Sequence, residues 1–293
     1  MDEVNFPYPH DTDREIFREA LAHSERTTGF TATLIERDYY CSLILQCFFD
    51  GDTSLVFRGG TCLSKVHTDF YRLSEDLDFI IPVPADTTRN QRRARMEPVK
   101  RIFNKLPKII PGVTISEVFK GHNESRQYIG YIAYRSAIIE TPESMKLEVG
   151  LREPLIKSSV SNEARTIVVN PFSGRSLLPT FTVRAMAARE AYAEKARAAL
   201  TRKEPAIRDF FDLLYAVHKM GLKLHDREFL DMVRRKLQVP GNDPVDVSKW
   251  RKRELDRQLD GQLKPVLRPA DFVWFNLDEA FEIVCSIAKA ISA

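Results

Sequence analysis

Cysteine is scarce: four in 293 residues, at Cys41, Cys47, Cys62 and Cys285. They form no C-x-x-C pair and have no histidine at ligand spacing. Neither a disulfide framework nor a zinc ribbon is expected, and buried, reduced thiols are. No apolar run approaches the roughly 18–20 residues that cross a bilayer. The start, MDEVNFPYPHDTDREIF, is acidic and lacks the basic-then-apolar layout of a secretory leader. The expectation is a cytoplasmic protein with no membrane partner. An excess of one charge sign is also missing. Forty-four Lys and Arg face 41 Asp and Glu, and a net charge of +3 is too small by itself to imply a nucleic-acid partner. There is no internal repeat and no low-complexity segment.

What is present is a length fit for one large domain or two medium ones, with 43% hydrophobic residues to build a core. Residues 11–50 carry helical periodicity, with Ile16, Phe17, Ala20 and Leu21, then Leu34, Tyr39, Leu43 and Phe48, at helical spacing. LVF, at 55–57, reads as a short strand broken by Gly59 and Gly60. Thr61 is placed to cap a helix over CLSKVHTDFY. LDFIIPVP reads as a second strand ended by prolines. From Phe119 the pattern is strand-like, in RQYIGYIAYRS and MKLEVGLR. VSNEARTIVVNPFSGRSLLP reads as a loop-bearing connector, and after about Thr182 the chain looks helical to its end. The expectation is an α+β fold with domains at 1–180 and 181–293. The first would be a mixed sheet flanked by helices, the second all helical.

Residues 72–81, RLSEDLDFII, concentrate negative charge at the mouth of an apolar run. In a strand Asp76 and Asp78 share one face, while Leu77 and Phe79 share the other. Two adjacent carboxylates repel unless a cation compensates them, and hard divalent ions bind such oxygens together with substrate phosphates. An exposed acidic turn is the plain alternative. Sixteen residues before Asp76 stands Gly59-Gly60-Thr61, where glycine lets phosphate oxygens approach backbone N–H groups. MKLEVGL alternates so that Lys146, Glu148 and Gly150 share a face. Glu148 thus becomes a third carboxylate, unless that face is simply solvated. Together these residues could hold Mg²⁺ and a nucleoside triphosphate for attack on the α-phosphate.

FRGGTCLSKVH…YRLSEDLDFII resembles the AbiEii/AbiGii toxin family, which includes the MenT toxins, a branch of the DNA polymerase β-like nucleotidyltransferase superfamily. The resemblance rests on Gly59, Gly60, Thr61, Arg72, Ser74, Asp76 and Asp78. It extends to Lys146-Leu147-Glu148-Val149 and to the lead-in IERDYYCSLIL. Where the family often has lysine before Gly-Gly, this chain has Arg58, which keeps the charge in a planar fork. AYAEKARAALTRKEPAIRDFFDLL is similar to the family's second motif through Glu194, Lys195, Arg202, Arg208, Asp209 and Asp212. Without the resemblance these would read as an ion-pair network on solvated helices.

The resemblance implies a polymerase β-like core and a closed site between the two domains. Asp76, Asp78 and Glu148 would bind Mg²⁺, with Mn²⁺ as a substitute. Lys195 and Asp212 would act with them in catalysis. Arg58, Gly59, Gly60, Thr61, Arg72, Ser74, Lys146, Arg208 and Asp209 would bind the NTP. It also implies transfer of a nucleoside monophosphate to RNA, at a tRNA 3′ end, with translation blocked, and an AbiEi-type antitoxin encoded alongside. Ser74 caps or orients its turn, or is a phosphorylation site as in some family members. A catalytically silent nucleotide- or RNA-binding module, or transfer to a protein or small-molecule acceptor, stays open. Residues 89–108 hold eight Arg or Lys and one acid, Glu97. Arg92, Arg93, Arg95, Lys100 and Arg101 are expected to spread charge over a broad surface for a polyanion, or to be a solvated helix.

Overall fold

The computed structural model describes residues 8–51, 54–139 and 141–292. By its internal contacts the chain forms two units, residues 1–154 with 159–185, and residues 155–158 with 186–293.

The first unit opens with helices α1 (Pro9–Thr12), α2 (Arg14–Thr28) and α3 (Ala32–Asp50). Asp13 caps α2 by accepting from the Ile16 N–H at 3.0 Å, and Gly29 ends it at φ +78°. There follow β1 (Val56–Arg58), α4 (Gly59–Cys62), a π-helical turn (Leu63–His67), β2 (Leu77–Ile80), α5 (Arg89–Phe103), α6 (Leu106–Ile109), β3 (Val113–His122), β4 (Gln127–Arg135), β5 (Pro142–Gly150), β6 (Val160–Ala164) and β7 (Phe181–Ala185). The seven strands form one sheet in the order β3-β4-β5-β2-β1-β7-β6. β2 runs parallel to β5 and β1 to β7, and the other pairs are antiparallel. The fold is α+β, as expected.

Strand alternation gives this sheet two unlike faces. On one, Leu77, Phe79, Leu147, Val149, Tyr128, Ile132 and Tyr134 are buried. Helix α3 packs there through Phe48 on Phe79 (ring centroids 5.5 Å) and Tyr40 stacked on Tyr134 (3.9 Å). Helix α5 packs through Phe103 on Phe119 (4.4 Å), and Gly130 leaves room for both rings. Each buried phenylalanine contributes about 1.5–3 kcal/mol. The other face carries Gln127, Ile129, Tyr131, Lys146, Glu148 and Asp78, all half-buried.

The structure departs from four of these expectations. Thr61 caps nothing: it lies inside α4 and its hydroxyl donates to the Asp76 carbonyl at 2.5 Å. The helix then widens to a π-turn, closed by Thr68 N–H on the Leu63 carbonyl at 3.0 Å, and ends at His67 rather than continuing to Tyr71. The connector and the start of the helical half are sheet, because β6 and β7 pair along Val160–Ala164 and Phe181–Ala185. β6 is a mostly polar edge strand, and β7 buries Phe181, Val183 and Ala185 while exposing Thr182 and Arg184. Short alternation of this kind is easily read as loop. Finally, β3 begins at Val113, before Phe119. The four cysteines are free, two of them buried and two half-buried.

The second unit comprises α7 (Ala188–Thr201), α8 (Ile207–Met220), α9 (Arg227–Leu237), α10 (Lys249–Asp256), α11 (Pro269–Trp274) and α12 (Leu277–Ser292). Buried Ala191, Ala193, Ala196, Ala198 and Ala199 make α7 slim enough for close packing. Glu190, fully buried, pairs with Lys236 at 2.8 Å. It also accepts from the Ile156 and Lys157 N–H groups at 3.0 and 2.8 Å, which draws residues 155–158 into this unit. Among the described residues no helix is long and apolar enough to cross a membrane.

A buried ion pair ties the first unit together. Lys65 Nζ lies 2.5 Å from Asp38 Oδ1 and donates to Ser42 Oγ and the Arg165 carbonyl. Asp38 Oδ2 accepts from the Thr166 hydroxyl and the Ile167 N–H. Lys65→Ala would strand a buried carboxylate and is expected to destabilise the protein by about 3–5 kcal/mol. Urea unfolding measures this directly, and a loss below about 1 kcal/mol would contradict it.

Candidate active site

The half-open sheet face concentrates charge where β1, β2, β5 and β4 lie side by side. Strand register places Arg58 opposite Asp78, Asp78 opposite Glu148, and Glu148 opposite Ile129. Register partners on adjacent strands project to the same face, so a cation and two carboxylates form one row across the sheet. Asp76 lies two residues before Asp78, just ahead of β2.

The two glycines have separate causes. Gly59 sits at φ +81°, a conformation that side chains rarely adopt, and a Cβ there would lie 2.4 Å from Asp78 Oδ2. The Asp78 carboxylate therefore rests directly on the glycine turn. A Cβ on Gly60 would lie 2.3 Å from Arg72 Nη2. Arg72 is 1% exposed, donates through Nη1 to the Leu73 carbonyl and lies against the Tyr71 ring. It buttresses the turn from beneath. Ser74 stands half-buried in the loop ahead of β2 and caps no helix. Glu75 is paired with Arg37 at 3.6 Å.

Glu148 is held from three sides. Lys146 Nζ is 2.9 Å from Oε2, Gln127 Nε2 donates to Oε1 at 2.8 Å, and Arg58 Nη2 stands 4.0 Å from Oε1. Burial pushes the Glu148 carboxyl up, but the charges of Lys146 and then Arg58 bring it below the usual range. Asp78 is displaced the other way. Burial first, then the charge of Glu148, hold its carboxyl above the usual range, against Arg58. Burial pushes Lys146 down, but the charge and hydrogen bond of Glu148, together with the charges of Asp78 and Asp76, raise it above its usual range. Among the described residues no three His, Cys, Asp or Glu side chains converge as metal ligands. Lys146 and Arg58 lie on Glu148 instead. The donor chemistry nonetheless suits a hard divalent cation: Asp78 and Glu148 stand in register on adjacent strands and repel each other, and the charge of Asp76, just ahead of β2, adds to that repulsion.

Residues of the second predicted motif form their own centre inside the helical unit. Lys195 on α7 lies 2.8 Å from Asp209 Oδ1 and 2.9 Å from Asp212 Oδ2 on α8. Arg202 stands 3.3 Å from Asp209 Oδ2. Both aspartates are buried, so this is not a solvated surface network. Burial raises Asp209, and Lys195 then Arg202 bring its carboxyl below the usual range. Glu194 pairs instead with Arg197 and Lys236, and Arg208 donates to the Gln262 carbonyl at 3.0 Å.

Gln127 was not predicted. Alternation along RQYIGYIAYRS puts Gln127 on the same face as Ile129 and Tyr131. Only the β4–β5 register, which leaves no trace in the sequence, brings that face to Glu148.

Lys195→Ala would leave two buried aspartates without this partner and is expected to cost about 3–5 kcal/mol on urea unfolding. Asp209 adds a pH signature. Its folded pKa is depressed, so its contribution is complete above the unfolded aspartate value of about 3.9 and is lost as pH falls through the lower folded value. The stability gap between the native protein and Asp209→Asn should therefore be constant above about pH 5 and narrow below pH 4. A gap that widens on acidification would refute the assignment.

A family profile described as nucleotidyl transferase AbiEii toxin, type IV toxin–antitoxin system, matches residues 43–280. That span includes the glycine turn, the Arg58–Asp78–Glu148 row and the Lys195 centre. Two Helicobacter pylori crystal structures are similar at low identity. JHP933 is 15% identical over 89% of this chain and 93% of its own, with a TM-score of 0.49. A protein described as a nucleotidyltransferase is 16% identical over 88% of this chain and 94% of its own, with a TM-score of 0.48. No curated protein matches. With the family pattern spanning most of its length, the chain belongs to the AbiEii family of nucleotidyltransferase toxins from type IV toxin–antitoxin systems.

Proposed function

We propose that the chain transfers a nucleoside monophosphate from an NTP to an RNA acceptor, at the 3′ end of a tRNA, and so blocks translation. Its neutralising partner would be an AbiEi-type antitoxin encoded alongside. The observation that carries this reading is the Asp78 carboxylate lying on the Gly59 turn, in register with Glu148, within a chain of this family. Family membership implies a nucleotide substrate and an antitoxin partner. The tRNA end is the acceptor this reading adds.

The glycine turn offers backbone N–H groups without side chains to a triphosphate. Arg58 and Lys146 flank it with positive charge that would follow the phosphates. Asp76, Asp78 and Glu148 would hold Mg²⁺ (or Mn²⁺), whose contribution is to neutralise the triphosphate and polarise the reacting oxygens. Gln127, held on β4, fixes one oxygen of Glu148 so that the carboxylate keeps a single orientation. The acceptor hydroxyl oxygen forms a bond to the α-phosphorus and gives up its proton to solvent, the bond from the α-phosphorus to the bridging oxygen breaks, and pyrophosphate leaves. Arg72 supports this arrangement from below without touching the nucleotide.

Incubating the purified protein with each labelled NTP, Mg²⁺ and total RNA should label a tRNA-sized species. Asp76→Ala and Asp78→Ala should each reduce labelling by about 10²-fold or more. Near-native labelling by either folded variant would exclude this site.

Gln127→Leu gives a graded test, since removing a residue that orients a ligating carboxylate typically costs 10–100-fold. The fall should appear in kcat, with the KM for NTP and the unfolding midpoint little changed. A change in KM alone would assign Gln127 to binding rather than positioning.

A further inference from the structure

Helix α5 buries one stripe, Arg92, Met96, Val99 and Phe103, at i, i+4, i+7 and i+11. Arg92 is therefore not a surface cation, which corrects the sequence expectation. It is 5% exposed, and its Nη1 donates 3.0 Å to the Glu124 carbonyl in the β3–β4 turn. Lys100 is neutralised by Glu97, the only acid on the helix, at 2.9 Å, and lies over the Tyr128 ring. Arg89 stands 4.0 Å from Glu124.

What remains is unusual. Arg93, Arg95 and Arg101 are exposed and form no ion pair with any described residue, and the same holds for Lys105 and Lys108 at α6. At about 100° per residue the three arginines fan around the part of α5 not used in packing. Other exposed arginines of this unit, Arg26, Arg126, Arg135 and Arg175, also lack an ion pair among the described residues, but none has another Lys or Arg within five residues, whereas on α5 and α6 five such charges fall within residues 93–108. Five uncompensated charges repel one another, and only an external anion relieves that repulsion. The face is convex and open, so it suits an extended anion rather than a small one held in a pocket. The helix, 15 residues long, spans roughly 22 Å at about 1.5 Å per residue, the length of several nucleotides. Among the described residues of α5 and α6, Ile109 at the end of α6 is the only exposed large apolar side chain, which does not suit insertion into a lipid surface.

We propose that the solvent face of α5, with Arg93, Arg95 and Arg101 at its centre and Lys105 and Lys108 extending it, docks the phosphodiester backbone of the RNA acceptor. This rests on the RNA-directed reading of the activity above. The face attracts and holds the strand without reading its sequence; specificity for an RNA end resides elsewhere.

The test is a salt series of RNA binding, by fluorescence anisotropy, on native protein and on the triple variants R93E/R95E/R101E and R93Q/R95Q/R101Q. Binding at about 0.1 M salt should fall at least tenfold for every RNA sequence in the reversal and less in the neutral variant. The slope of log K against log salt should become shallower by about two units, at roughly 0.7–0.9 per phosphate contact. NTP binding should stay within twofold. Slopes equal to native would overturn the proposal. So would variants that lose binding to phosphatidylserine vesicles while keeping RNA, since the face would then serve an anionic membrane. If native protein transfers nucleotide to RNA and the variants do so equally well, the face fails and the functional reading stands. If native protein labels no RNA, that reading fails, and the salt series still decides whether α5 binds RNA.

Discussion

The in-register pairing of Asp78 with Glu148 on adjacent parallel strands is the constraint around which the first unit is arranged. It forces two carboxylates together on one sheet face, which is unfavourable unless cations stand nearby. Arg58 and Lys146 supply those cations, and the Gln127 amide adds a hydrogen bond, from three different strands. Because the strands are anchored by Phe79, Leu147 and Val149 on the opposite face, the carboxylates cannot relax apart without disrupting the core. Glycine at position 59 follows from the same constraint, since the Asp78 carboxylate occupies the space a side chain would need.

The carboxylates and the glycine turn were legible because each depends on local spacing. Asp76 and Asp78 differ by two, Lys146 and Glu148 differ by two, and Gly59-Gly60 interrupts an apolar run. What was not legible depends on pairing between distant segments. Gln127 reaches Glu148 through a strand register, and Arg72 meets Gly60 through the packing of a loop under a turn. β6 and β7 were missed for a related reason: five-residue strands with polar outer faces resemble connectors until their partners are known. Arg92 is an instructive exception. Its place in a stripe with Met96, Val99 and Phe103 could have been read from helical spacing alone, but the density of arginine around it suggested a surface role.

In the helical unit the same physics produces a different result. Lys195 and the exposed Arg202 balance the buried Asp209 and Asp212, and Lys236 with Glu190 forms a second buried pair. Around Asp78, by contrast, burial and then the charge of Glu148 hold the carboxyl above its usual range, against Arg58. The family's two motifs therefore differ in electrostatic state, although both are rich in acids and bases.

The path of the chain has a consequence for how this protein can be divided. Residues 155–158 belong with the helices, yet they are flanked on both sides by segments of the sheet unit. A fragment starting at Met186 would lack the two backbone N–H groups that satisfy Glu190, leaving a carboxylate sealed inside the helical bundle with Lys236 alone. A fragment ending at Ala185 would retain those four residues with nothing to receive them. The two units are thus distinct in packing but not separable as genetic modules. Exchange of the helical half between relatives would have to carry a four-residue insert embedded in the other half's sequence, a form of inheritance that recombination at a single junction cannot supply.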